Sequence, residues 1–293
     1  MSAEVWTLAR RNILVYVRNR MSVFFSFLSV LIIIGLYALF LGRVQSEGVR
    51  SAAGAVPGVR SLVDSWIMAG LLAVNAVTVS LGVLGTMVAD VEHKRFDDFV
   101  VAPVRRSRLV VSYLISAWVI GFVFNLIAFV AGELYILSGG GALLSPPQAL
   151  EAVGILALAV VSSSSVMYLL ASFLRSVSAF GILSTLLGTL IGFITGVYIP
   201  VGVLPDAVQK FVALVPFSHS AALLRQVFCR QPLAAVFADA PPAVQAHYLR
   251  MYGITLYWGD SRITVPAMLA VLVGVTVVFL LLSALKLRSR RRG

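Results

Sequence analysis

The chain has 293 residues, 60% of them hydrophobic and 12% charged, with 23 Lys and Arg against 12 Asp and Glu for a net charge of +11; its mean hydropathy is +0.98. A soluble domain is about 45–50% apolar and about 25% charged, so this composition excludes an ordinary water-soluble enzyme and a disordered chain and leaves a membrane-embedded protein. Most of the basic excess flanks apolar runs, where it sets orientation rather than signalling nucleic acid, and one cysteine, Cys229, can neither close an internal disulfide nor build a metal cluster.

A bilayer core of about 30 Å takes roughly 20 apolar residues of helix. Residues 1–20 precede any such run. Within 3–20, Val5, Trp6, Leu8, Ala9, Ile13, Leu14 and Val17 recur at helical spacing, while Arg10, Arg11, Arg18 and Arg20 take much of the remainder. That pattern predicts an amphipathic helix on the inner leaflet, with a solvated leader as the alternative; no small-residue cleavage site after Phe40 supports a signal peptide. Six long apolar runs then read as spans at about 21–42, 65–89, 109–137, 152–174, 177–198 and 263–286. Only Arg175 separates the fourth from the fifth, and 152–198 is far more than one crossing needs.

Between the first two runs, residues 43–62 are rich in Gly, Ala and Ser and predict a short outer loop. After the second run comes "DVEHKRFDDFVVAPVRRSRLVVSYLIS", residues 90–116, mixing acidic, aromatic and basic residues ahead of Pro103. A plain positive-inside loop does not need Phe96, Asp97, Asp98 and Phe99 together, so this segment reads as a surface for docking a protein, with a membrane-surface helix as the alternative. Ser162 to Ser165 sit mid-span, where hydroxyls bond their own helix carbonyls or a neighbouring helix. Asn75, Thr78 and Ser80 fall in the second run. Ser184, Thr185, Thr189 and Thr195 fall in the fifth with Gly181, Gly188, Gly192 and Gly196, three of them spaced by four, which predicts a flat groove for a helix of the same subunit or of a second one.

Residues 199–262 predict a re-entrant segment and outer cap, because "FVALVPFSHSAALL" at 211–224 is too short to span, too apolar for water and broken at Pro216. Residues 289–293 form a basic tail. Basic residues before the first run, between the second and third, and after the sixth fall on one side of an even-numbered topology, which puts both termini in the cytoplasm.

The chemistry is sparse. No G-x-x-x-x-G-K-[ST] loop is present, so the chain has no ATP site of its own; His93, His219 and His247 are scattered and order no catalytic triad. No catalytic residue, metal site or bound cofactor is expected. Asp64 and Asp90 bracket the second run and Glu133 lies near the outer end of the third, so no titratable ladder crosses mid-membrane, which argues against an ion-coupled carrier.

The interfacial start, the six runs, the inner loop ending in Pro103 and basic residues, and "GVYIPVGVLPDAVQKFVALVPFSHSAALLRQVF" at 196–228 together resemble the type-2 ABC transporter permease family across nearly the whole chain. The last motif is the most specific, with Gly196, Pro200, Leu204, Pro205, Pro216 and Arg225 falling where the family pattern places them. In the inner loop, "KRFDD" stands where the family usually has glycine and threonine. The resemblance implies an all-α membrane protein with six transmembrane helices, an N-terminal interfacial helix and short re-entrant outer helices. It implies a drug, antibiotic or lipid-like exporter, with a polysaccharide or teichoic-acid exporter as the runner-up; a carrier running on an ion gradient is the alternative from a different class. It further implies separate ABC ATPase subunits that hold ATP and Mg, a second permease copy, the lipid bilayer as surroundings, and a place in the cell membrane. Under it, Glu92, Phe96, Asp97, Asp98, Phe99 and Pro103 couple to the ATPase. A lateral route runs past the first, second and fifth spans, with Asn75, Thr78, Thr185, Gly188, Thr189, Gly192 and Gly196 on the path or the subunit interface. Pro200, Pro205, Pro216, His219 and Arg225 belong to an outer gate.

Overall fold

A computed structural model describes residues 3–36, 47, 58–95 and 106–289. Phe96, Asp97, Asp98, Phe99 and Pro103 lie outside the described residues, as does the second part of the expected first span. The chain folds as an all-α membrane protein. Its helices are α1 (Ala3–Arg18), α2 (Arg20–Leu36), α3 (Val59–Glu92), α4 (Arg106–Ser138), α5 (Pro146–Ala171), α6 (Val177–Ile194), α7 (Asp206–Leu214), α8 (Pro216–Phe228), α9 (Arg230–Val236), α10 (Pro242–Met251) and α11 (Val265–Ser289). A 3-10 turn at Val201–Val203 precedes α7, and a two-stranded hairpin, β1 (Tyr257–Trp258) and β2 (Ser261–Arg262), precedes α11. Among the described residues α3, α4, α5, α6 and α11 are each long and apolar enough to cross a bilayer, and α7 with α8 would make a sixth if counted as one broken span.

Helix α3 is the pillar of the fold, with α4, α5, α6 and α8 packed around it. Leu62, Trp66, Ile67 and Leu84 are buried along its length. It is longer than the run 65–89 read from hydropathy, and residues 59–62, expected in the outer loop, are helical. Arg60, Asp64 and Asp90 end the apolar run, but none of them breaks a helix, so the helix continues to Gly58, whose φ of 93° suits only glycine well. Midway along, the Ser164 hydroxyl of α5 lies 2.9 Å from Ser80 Oγ and 2.7 Å from its own Val160 carbonyl. The serine run therefore serves helix packing.

Helices α6 and α11 contrast with this pillar. Ile182, Leu186 and Leu190 of α6 and Leu281 and Leu285 of α11 are more than half exposed, as suits faces turned to lipid tails or to another subunit.

The axes of α7 and α8 meet at 88°. Val215 is extended (φ −83°, ψ 129°), and Pro216, lacking an N–H, starts α8 at its first turn. The last carbonyls of α7 have no partner in their own helix and are taken by α8. His219 donates from Nε2 to the Ala213 carbonyl at 2.9 Å, and Ser218 Oγ sits 2.7 Å from the Val215 carbonyl.

The segment expected to form an outer cap also holds a short β-hairpin. The β-hairpin turns at Gly259 (φ 61°) and Asp260, with Tyr257 opposite Arg262 and Trp258 opposite Ser261. A Gly-Asp pair between aromatic and polar neighbours is a hairpin signal in its own right. The cap is also more buried than its composition predicts: Tyr248, Ile254 and Leu256 join the main core.

Candidate transport groove

The N-terminal helix is tied down by side chains rather than merely floated on lipid. Val5, Ala9, Asn12 and Tyr16 form its buried stripe, and α4 is its main neighbour. Ser116 of α4 donates to the Ala9 carbonyl at 3.1 Å. Trp6, Leu14 and Val17 face outward. Asn19 breaks the chain before α2, and its Oδ1 accepts the Ser22 N–H at 3.2 Å, capping the new helix.

At the C-terminal end of α3, Asp90 gathers three elements onto one buried carboxylate. Arg11 of α1 forms a two-pronged ion pair with it, Nη2 to Oδ1 at 2.9 Å and Nη1 to Oδ2. Tyr113 of α4 donates to Oδ2 at 2.6 Å, and Arg95, just past α3, reaches Oδ1 at 3.3 Å. The hydrogen bond to Asp90 holds the Arg11 guanidinium above its ordinary pKa against the opposing effect of burial. Glu4 and Arg108 add an exposed pair between α1 and α4. None of these partners is legible in the sequence, where Arg11 and Asp90 are 79 residues apart. The available signal was an acid at the end of an apolar span, which burial obliges to find a cation.

Between α1 and α2 on one side, α3 behind and α6 on the other lies a cavity of about 800 Å³. Its walls are mainly apolar, including Met21, Phe25, Val74, Leu81 and Phe180, with hydroxyls at Tyr16, Ser22, Ser26, Thr78, Ser184 and Thr185. Tyr16 Oη and Ser26 Oγ are 2.7 Å apart, bridging α1 and α2; Thr78, Ser184 and Thr185 each donate to a carbonyl of their own helix. Asp90 and Arg95 close the inner end, and Tyr198 lies at the other end of α6.

The residues expected on the path separate into three groups. Thr78, Thr185 and Gly188 line the cavity. Asn75 is buried in α3 and Thr189 is exposed on α6, and neither lines it. The glycine row does not form one continuous flat face. A Cβ on Gly181 or Gly188 would meet nothing within 4 Å, whereas one on Gly192 would stand 2.2 Å from the Tyr198 ring. Gly196 lies beyond the last residue of α6 in a left-handed turn (φ 69°), and the Val197 N–H returns to the Gly192 carbonyl at 2.8 Å. Its spacing of four is therefore that of a helix C-cap rather than of a packing stripe.

Of the expected coupling residues, Glu92 is described. Its Oε2 accepts the Val177 N–H at 3.2 Å, so the end of α3 caps the start of α6. Pro200 leads into the 3-10 turn, Pro205 caps α7, and Pro216 and His219 make the bend. Arg225, in α8, is 1% exposed and lies over Trp66 with its guanidinium carbon 4.6 Å from the ring centre. Three glycines make room for it: a Cβ on Gly70, Gly196 or Gly253 would come within 2.9 to 3.4 Å of its nitrogens. The contacts make Arg225, expected in an outer gate, a bolt between α3, the turn after α6 and the turn after α10.

Residues 3–229 match the family model of the ABC-2 type transporter. The chain belongs to that family. No curated protein matches it. The ABC-2 match runs from α1 to the residue after α8, so it takes in every element that lines the cavity. The protein is thus a multi-pass ABC permease subunit, of a family that works with ABC ATPases in the bilayer and generally carries no ATP site itself.

Proposed function

We propose that this subunit exports amphipathic molecules, drug-like, antibiotic or lipid-like, by way of the cavity between α1–α2, α3 and α6. The observation that carries this reading is the cavity's position and lining: an apolar trough of about 800 Å³ with scattered hydroxyls, flanked by helices whose outer faces are themselves apolar. In this reading two permease copies meet along the exposed faces of α2 and α6, ATP and Mg are held by separate ATPase subunits, and the chain binds no cofactor. A polysaccharide or teichoic-acid substrate fits the family equally, but it calls for a more polar lining. Filling the groove tests the proposal. Gly188 faces the cavity with open space beyond its Cα, so Gly188→Trp should leave folding intact and reduce export by at least about tenfold, as read by substrate efflux from cells. Normal efflux by a well-expressed Gly188→Trp protein would move the route elsewhere.

Work from the ATPase must enter through a protein contact, and in this proposal residues 91–103 provide it. Phe96 and Phe99 seat in a cleft of the ATPase, with Asp97 and Asp98 fixing register against its basic groups and Pro103 stiffening the exit into α4. Glu92 then links that contact to α6. Changing Phe96 and Phe99 to Ala should leave membrane insertion intact and lose substrate-stimulated ATP hydrolysis; a stoichiometric, fully stimulated complex of the double variant would show that coupling lies elsewhere.

The same proposal puts the inner loop and both termini in the cytoplasm of a cell membrane. In a Cys229-free background, cysteines at Gly54 and Ala243 should react with an impermeant thiol reagent from outside, and one at Asp98 should not. Labelling at position 98 in sealed cells would invert the orientation.

A further inference from the structure

The charges around the groove point to a narrower class of cargo than its apolar walls do. The lining holds two charged side chains, Asp90 and Arg95. Asp90 is 2% exposed and already engaged by Arg11, Arg95 and the Tyr113 hydroxyl, so it offers no carboxylate to a cationic guest. Arg95 keeps half of its side chain exposed and sits at the inner end of the trough. Among the described residues, Arg11 and Arg95 meet the single carboxylate of Asp90, so this cluster carries a net positive charge.

A second cleft adjoins it. On the outer side of α1, Thr7, Arg10, Arg11, Leu14, Val15 and Arg18 surround a shallow depression of about 510 Å³, and Val15 lines both this cleft and the groove. Among the described residues Arg10 and Arg18 make no ion pair, and no Asp or Glu lines the depression. Arg10 and Arg18 are eight residues apart, about 12 Å along the helix at 1.5 Å per residue. The cleft is therefore basic at both ends, apolar in the middle and continuous with the groove.

We propose that the groove takes amphipaths with an anionic head from the inner leaflet, the head passing from the α1 arginines to Arg95 while the tail lies against Val15, Met21, Phe25 and Phe180. This inference rests on the reading of the cavity as the transport route. Positive potential at a low-dielectric mouth concentrates anions and repels cations, and the tail gains by burial in the apolar trough. A cationic amphipath would gain the same burial but would meet arginine where it needs a carboxylate.

The test uses the purified full-length chain in phosphatidylcholine nanodiscs, with empty nanodiscs as background. The probes are two pyrene-labelled amphipaths of equal tail length, one ending in a carboxylate and one in a trimethylammonium. The carboxylate should bind at least about tenfold more tightly at low salt, an advantage that shrinks as salt screens the site. Arg95→Gln should remove most of that advantage without weakening the cation, and Arg10→Gln with Arg18→Gln should reduce it further. Arg95 and Arg18 lie at exposed positions, so these variants keep the Arg11–Asp90–Tyr113 cluster that anchors α1. Gly188→Trp should weaken both probes. Equal binding of the two probes, with both still lost in Gly188→Trp, overturns the charge selection and leaves the route standing. A carboxylate preference that survives Gly188→Trp overturns the inference and the route together, because the probe is then held outside the groove.

Discussion

Asp90→Ala should destabilise the permease by about 3–5 kcal/mol, the cost typical of removing one partner from a buried ion pair. The variant strands Arg11 and the Tyr113 hydroxyl at a site where the carboxylate was 2% exposed, and it removes the ion pair that ties α1 to α3. Two readouts separate this from a general loosening. Thermal unfolding in mild detergent should shift down by several degrees, and limited trypsin digestion should cut at Arg10 and Arg11 in the folded protein, because α1 has lost its principal tether. Asp90→Asn keeps an acceptor for Tyr113 and should lose less. If Asp90→Ala melts like the parent and α1 stays resistant to trypsin, the cluster does not anchor the helix. The Glu4–Arg108 pair joins α1 to α4 but is largely solvent-exposed, so Glu4→Ala should change stability by less than about 1 kcal/mol.

Arg225→Ala should cost about 3 kcal/mol, through a different mechanism. The guanidinium fills a slot cleared by Gly70, Gly196 and Gly253 and stacks on Trp66, whose Nε1–H is fixed on the Tyr252 carbonyl at 2.7 Å. A desolvated cation–π contact contributes about 2 kcal/mol, and emptying the slot adds a cavity term. The loss concentrates at the outer cap, because α3, α8 and the turn after α10 meet there. Proteolysis of the segment between α10 and α11 should accelerate well before global unfolding. Arg225→Lys keeps charge but not the planar stack and should recover only part of the stability. An unaltered cap in Arg225→Ala would show that Trp66, Tyr248 and Tyr252 hold it without the arginine; the last two stack at 4.3 Å.

Hydropathy made the membrane class and most of the long helices readable, since uncharged runs and helical backbone are both demanded by lipid. It did not mark where helices end. Asp64 and Asp90 close the apolar run of α3 and yet lie inside the helix, because polarity and helix termination are separate properties. The groove was partly legible: hydroxyl and glycine content singled out Thr78, Thr185 and Gly188, all of which line it. Spacing alone did not show that Tyr198 covers Gly192 or that Gly196 ends the helix. A period of four is shared by a packing face and by the residues flanking a helix C-cap, and only the left-handed backbone at Gly196 separates the two. The Asp90 cluster and the Arg225 bolt were not legible as contacts, since each joins residues far apart in the chain through side chains that could have found other partners.

Helix α6 is secured at its two ends and packs on α3 from one side only between them. Glu92 grips its first turn and Phe180 lies against Gly85 of α3, while at the far end the backbone folds back so that Tyr198 covers Gly192. Between those fixings, Gly188 has no neighbour within reach and Leu186 and Leu190 face outward. The trough therefore has one wall whose inner side rests on α3 through Leu187 and Ile191 while its outer side is bare, so whatever covers Leu186 and Leu190 completes the wall from without.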